Sequence, residues 1–243
     1  MKLKAALTYR LNYQIKSIFF FFGYFSLFAI VFPIVGIMIS GTKETINSDG
    51  MFSSLIFIFI IAFIGVSSDF KLCIQNGMSR KNIFISYILS NLAISAILSV
   101  VLLIVKAIAD NFLMTNLNIS LFVSDLYTKG ELLPTFVFLF ITFLLGSSIG
   151  SVFGIFNDRV TGTKKLIILA TLIMIPIILG VIIQLGGATL QAKLFKLFSN
   201  LFGISNEGFQ LMPILGTFLA VTLLLSILTY FMNIKREIKR INA

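Results

Sequence analysis

Residues able to carry out chemistry are scarce in this chain, and their types and spacing point away from catalysis. In 243 residues there is no histidine and one cysteine, Cys73. That excludes His-ligated metals, imidazole acid–base relays, cysteine metal clusters and an intrachain disulfide. The nearest approach to a phosphate-binding loop is Gly162-Thr163-Lys164-Lys165. It lacks the upstream glycine that would let backbone amides cradle phosphates and the hydroxyl after lysine that would hold magnesium. The letters G-x-S-x-G occur at Gly146-Ser147-Ser148-Ile149-Gly150, but inside an apolar run with no strand-to-helix turn to make a nucleophile elbow, and no H-E-x-x-H pair occurs. Lys106 and Asp110 stand four residues apart, but at the end of an apolar run. An exposed or snorkelling pair fits that position better than an intramembrane relay. The expectation is a chain with no catalytic, cofactor-binding or metal-ligating residues of its own.

The elements that surround these few polar groups are apolar helices. The chain is 58% hydrophobic with a mean hydropathy of +1.05, beyond what a water-soluble domain of this size carries on its surface. The fold class read from this is all-α and integral to the membrane. Six transmembrane helices are expected at about 18–39, 51–68, 83–105, 132–156, 166–187 and 209–233, in a single transmembrane domain covering 1–243. The run at 18–39 is too long for a signal-peptide core and no small-residue cleavage site follows it, so it is read as a span. Pro33 near its far end predicts a kink. Residues 1–17 place Leu3, Leu7, Leu11, Ile15 and Ile18 at a helical period, with Lys2, Lys4, Arg10 and Lys16 on other faces. This reads as an amphipathic helix lying in the membrane interface.

Charge sets the orientation. Six spans put both termini on one side, together with 69–82 and 157–165, and that side carries 14 of the 19 Lys and Arg residues and three of the nine acids. Lys and Arg are retained in the cytoplasm, so both termini are expected there. The same rule accounts for the net charge of +10 without invoking nucleic acid.

Two spans carry packing signals. Gly146, Gly150 and Gly154 recur every four residues along one helix face, where they let another backbone approach closely. Whether that partner lies in this chain or in a second copy is open. The span at 83–105 carries Ser86, Ser90, Asn91, Ser95 and Ser99, which are expected to face other helices as interhelical hydrogen-bonding groups rather than to line a path. On the far side, Leu190, Leu194, Leu197, Phe198 and Leu201 share one face of an amphipathic piece within 188–208.

The most distinctive short stretch is 67–84. Ser68 or Asp69 suits an N-cap, Phe70, Cys73 and Ile74 share a face, Gly77 suits the left-handed position after a helix, and Ser79 can cap the next. The prediction is a short helix across the inner face, a glycine elbow, and then the third span.

Six spans, a basic amphipathic N-terminus and the string Gln75-Asn76-Gly77-Met78-Ser79-Arg80-Lys81 resemble the ABC-2-type permeases of bacterial ABC transporters. Many of these carry G-x-[ST]-R-[KR] at this place, matched by Gly77, Ser79, Arg80 and Lys81. The likeness covers the whole chain in topology and about a dozen residues in motif. It implies a coupling helix docking on a separate ATPase subunit, with Phe70, Cys73, Ile74 and Gln75 in contact and Arg80 and Lys81 anchoring the elbow. Asp158, Arg159 and Lys164 would form a second cytoplasmic contact. ATP and magnesium would belong to the partner, and a second permease copy or a homologous permease would complete the membrane part. The implied setting is the cell membrane of a Gram-positive bacterium, with export of, or immunity to, an amphipathic peptide, drug or lipid. A rival from another class is a non-transporting sensor or immunity protein that holds a cytoplasmic partner through the same surface. A passive channel is disfavoured by the lack of a repeated pore motif or charged ring.

Overall fold

The computed structural model describes residues 2–40, 46–112, 117–205 and 208–236. Residues 41–45, and Lys239 and Arg240 near the C-terminus, lie outside them. Six helical stretches are long and apolar enough to cross a membrane: Lys2–Gly36, Gly50–Gln75, Arg80–Asp110, Leu132–Arg159, Thr163–Leu185 and Leu211–Ile234. They belong to α1 (Lys2–Ser26) with α2 (Phe32–Ser40), and to α3 (Gly50–Gln75), α4 (Arg80–Phe112), α6 (Leu132–Arg159), α7 (Thr163–Leu185) and α9 (Leu211–Ile234).

The first span departs from expectation. α1 passes through residues 17 and 18 without a break and joins α2 through a π-helical turn, Leu27–Val31. No separate interfacial helix forms, because nothing there interrupts the helix. Arg10, Gln14, Ile18 and Phe22, at steps of four, make one buried stripe that crosses the expected boundary. The rod is about 58 Å long at 1.5 Å per residue, against about 30 Å of hydrocarbon. The π-helical turn has a local cause in Pro33, which cannot donate to the Ala29 carbonyl four residues earlier. The Ser48 hydroxyl donates to that carbonyl at 3.5 Å, and Phe32 N–H reaches back five residues to Leu27.

α6 is the centre of the bundle. Of its 28 residues 14 are buried, against none in α7, and α3, α4 and α9 pack around it. The glycine stripe meets α3 of the same chain. A Cβ on Gly146 would come 2.7 Å from Leu55, one on Gly150 would strike the Phe59 carbonyl, and one on Gly154 would lie 2.5 Å from the Phe63 carbonyl. Leu55, Phe59 and Phe63 are themselves four apart, so two rows of matching pitch lie against each other.

The serines of α4 are buried against neighbouring helices, but the hydroxyls of Ser86, Ser90 and Ser99 donate to carbonyls of their own helix, at 2.8, 3.0 and 2.8 Å. Asn91 makes the cross-helix bond, from its Nδ2 to Ser151 Oγ at 3.3 Å. Small side chains that satisfy themselves locally permit close approach without needing a partner.

The face opposite the chain ends carries short elements. β1 (Ile46–Asp49) pairs in parallel with β2 (Leu117–Ser120), so the first and third connections between spans are tied together. Asp49 then caps α3, its Oδ1 accepting from Met51 and Phe52 N–H at 2.9 and 3.0 Å. Lys106 does not pair with Asp110; it reaches both oxygens of Asp125 at 2.9 Å, on α5 (Phe122–Thr128). α8 (Gly187–Phe202) and the β3–β4 hairpin (Ile204–Ser205, Gly208–Phe209) follow. Leu190, Leu197, Phe198 and Leu201 on α8 are exposed. Tyr127 OH donates to the Phe202 carbonyl at 2.9 Å and Thr217 Oγ1 to Leu201 at 2.8 Å, pinning the end of α8 to α5 and α9.

A Gly150→Val substitution is expected to lower stability by about 1–3 kcal/mol through overpacking. Gly216→Ala, where an added Cβ meets nothing within 4 Å, is expected to be neutral or slightly stabilising. Thermal unfolding followed by helical circular dichroism in one detergent measures both.

Candidate functional site

The stretch 67–84 lies at the end of the bundle where α1 begins and α9 ends, called here the terminal face. α3 continues through Ser68 and Asp69 to Gln75, so the expected short separate helix is instead the last turns of a span. Ser68 does not cap: its hydroxyl turns back to the carbonyls of Ile64 and Gly65 at 3.3 and 3.4 Å. Asp69 faces Arg10, with 3.5 Å between Oδ2 and Nη1. Without a chain-breaking residue between 66 and 75, capping side chains alone do not stop a helix.

The elbow itself forms as expected. Gly77 takes φ +68°, which a Cβ would strain. Its N–H donates to the Ile74 carbonyl at 2.9 Å, and Met78 N–H donates to Cys73 at 3.0 Å. This pair of bonds is the Schellman closure, and Met78 and Cys73 supply its apolar contact in one buried cluster. Ser79 then starts α4: its carbonyl accepts from Ile83 N–H at 3.0 Å and its hydroxyl from Asn82 N–H at 3.3 Å.

The rest of the terminal face braces this elbow. Lys2 Nζ donates to the Gly77 carbonyl at 3.3 Å. Arg80 Nη1 donates to the Ile234 carbonyl at 2.6 Å, and Asn233 Nδ2 to the Arg80 carbonyl at 3.1 Å. Two buried arginines grip α3 from either chain end. The Arg236 guanidinium lies over the Phe70 ring, 4.1 Å from its centre, donates to the Val66 carbonyl at 3.0 Å and pairs with Asp158. Tyr87 OH donates to the same carbonyl at 3.0 Å, and Arg10 sits over the Tyr87 ring at 4.2 Å. Asp158 also accepts from Ser67 Oγ at 2.8 Å. One stretch of α3, 66–70, is thereby held by α1, α4, α6 and the chain's C-terminal segment.

This placement sorts the residues singled out from sequence. Phe70 and Cys73 point inward and are buried, Ile74 is half-buried, and Gln75, Gly77, Ser79, Arg80 and Lys81 are exposed. The outer surface of the elbow also includes Lys71, Leu72 and Asn76. Asp158 looks into the cluster, whereas Arg159 reaches the Met232 carbonyl at 3.5 Å and Lys164 is exposed on the turn into α7. Sequence reasoning missed Arg10 and Arg236 as buried anchors. For Arg10 a signal existed in its four-residue spacing from Gln14, Ile18 and Phe22; Arg236 looks like any other basic flank of a span. Among the described residues no three His, Cys, Asp or Glu side chains gather as a metal site.

Together these features define an all-α, multi-pass membrane protein with a braced elbow between its second and third spans. Comparison with known protein families, curated proteins and solved structures gives no match to this chain.

Asp158→Ala leaves Arg236 buried without its carboxylate and is expected to cost about 3 kcal/mol or more. The Asp158→Ala/Arg236→Leu double variant is expected to recover part of that loss, which a double-mutant cycle on unfolding free energies measures.

Proposed function

We propose that this chain is the membrane-spanning permease subunit of an ATP-binding cassette exporter, driven by ATP hydrolysed on a separate ATPase subunit. The observation that supports it most is the elbow. A glycine-closed turn built on Gln75–Lys81, exposed at Gln75, Asn76, Gly77 and Ser79, is continuous, through α3, with the centre of the bundle. Such an element can receive a push at its tip and deliver it to the span interface where α3 lies on α6.

In this reading the terminal face is cytoplasmic, as the distribution of Lys and Arg favours. The burial of Phe70 and Cys73 moves the proposed contact onto the outer surface of the elbow, to Leu72, Gln75 and Asn76. Leu72 is 41% exposed there and lines a shallow groove with Ala5, Tyr9 and Asn76, an apolar anchor of the kind docking centres use. Arg80 keeps its anchoring role toward α9. The connection at 160–162 with the first turn of α7, where Lys164 is exposed, is the second contact. ATP and magnesium bind on the partner, and this chain takes part in no catalysis. α7 buries no residue along its length and packs chiefly on α8; a second copy or a related permease is the proposed neighbour. The cargo class implied by the resemblance is an amphipathic peptide, drug or lipid.

The test is reconstitution of the full chain with the ATPase subunit that co-purifies with it. Leu72→Asp and Gln75→Arg, both on the exposed surface, are expected to reduce stimulated ATP hydrolysis about tenfold, the size of a lost interface anchor, with the melting temperature unchanged. Full stimulation in both variants, or purification with a kinase or with no ATPase, contradicts the reading.

A further inference from the structure

On the lipid-facing side of the terminal face, α4 and α9 enclose a groove of about 420 Å³. Its depth is apolar, with Leu223, Ile227 and Phe231 of α9 exposed along one wall. Phe84 and Tyr230 close the floor, edge to face with ring centres 5.1 Å apart. Lys81 stands at the mouth. Lys235 caps the end of α9, four residues after Phe231, and is exposed on the aqueous side of the groove. The crossed bonds between Arg80 and Ile234 and between Asn233 and Arg80 staple the two helices at this mouth and fix its width.

Two features identify the occupant. The first is length: from Leu223 to Lys235 the helix rises about 18 Å, close to the roughly 15 Å of one hydrocarbon leaflet. The groove therefore runs from headgroup level toward the bilayer midplane. The second is charge. The described acids of this face, Asp69 and Asp158, are taken by Arg10 and Arg236, so among the described residues neither Lys81 nor Lys235 has an acidic partner. Cations at headgroup level above an apolar interhelical wall are the chemistry that selects an anionic lipid. A free phosphate would have no use for the wall, and a neutral lipid none for the lysines.

We propose that this groove holds one anionic phospholipid, its phosphate between Lys81 and Lys235 and an acyl chain along Leu223, Ile227 and Phe231. Bound there, the lipid covers the seam between the helix that leaves the elbow and the last span.

The chain has no tryptophan, so Phe231→Trp gives a single tryptophan, excited selectively over tyrosine, in the groove of the full-length protein. In vesicles, phosphatidylglycerol with brominated acyl chains is expected to quench it at about a tenfold lower mole fraction than brominated phosphatidylcholine. Added salt should narrow that gap by screening the headgroup contact. Coincident curves for the two lipids overturn the proposal without any charge variant. With Lys81→Gln and Lys235→Gln added, the gap should close while quenching by phosphatidylcholine stays as it was; a gap that survives overturns it. A reporter at Met174→Trp, on exposed α7, should show no preference. A gap of equal size there would mean a general surface effect and no site.

Discussion

The close approach of α6 to α3 is the constraint on which the bundle depends. Lipid offers no hydrophobic force between helices, so what holds two spans together is contact, and contact is greatest where backbones come nearest. Gly146, Gly150 and Gly154 remove the side chains that would keep α6 off Leu55 and the carbonyls of Phe59 and Phe63. With that interface closed, α6 is enclosed, and α4 and α9 take their places around it. α7 has no such row and stays outside the core.

The position of α3 in turn decides what the terminal face can be. Because α3 does not end at the edge of its apolar run, its last turns carry the elbow to the level where α1 begins and α9 ends, and those segments secure it. Arg10 and Arg236 are nearly excluded from solvent, and burying a guanidinium is costly unless charge, ring face and carbonyl replace the lost water. Asp158, Phe70 and the Val66 carbonyl serve Arg236; Arg10 has the charge of Asp69 and the ring of Tyr87 but no hydrogen bond among the described residues. The effect is to fix α3 against α1, α4 and α6 at once, so that a displacement of the elbow is shared by most of the bundle. That mechanical continuity is what the proposed permease needs.

Much of this was legible in the sequence because it rests on local rules. Runs of about 20 apolar residues give the spans, the four-residue glycine row gives a packing face, and Gly77 followed by Ser79 gives a closed helix end and a new start. What was not legible depends on partners distant in the chain. The 1–17 segment is amphipathic by any local measure, yet its polar Arg10 and Gln14 turn inward because α3 and α4 offer them a place. Phe70 and Cys73 share an apolar face that could equally have met another protein; the N-terminal turns of α1 and the C-terminal segment cover it instead. The pairing of β1 with β2, and of Lys106 with Asp125 in place of Asp110, joins loops about 70 and 20 residues apart, which no periodicity encodes.

The central claim, that a nucleotide-hydrolysing subunit docks on the elbow, is tested most directly by site-specific photocrosslinking in native membranes. A photoreactive side chain at position 75, on the exposed surface of the elbow, should give an adduct with an ATP-binding subunit. The same group at Phe198, exposed on the opposite face, should give none. No such adduct from position 75, or an equal yield from both positions, would contradict the account.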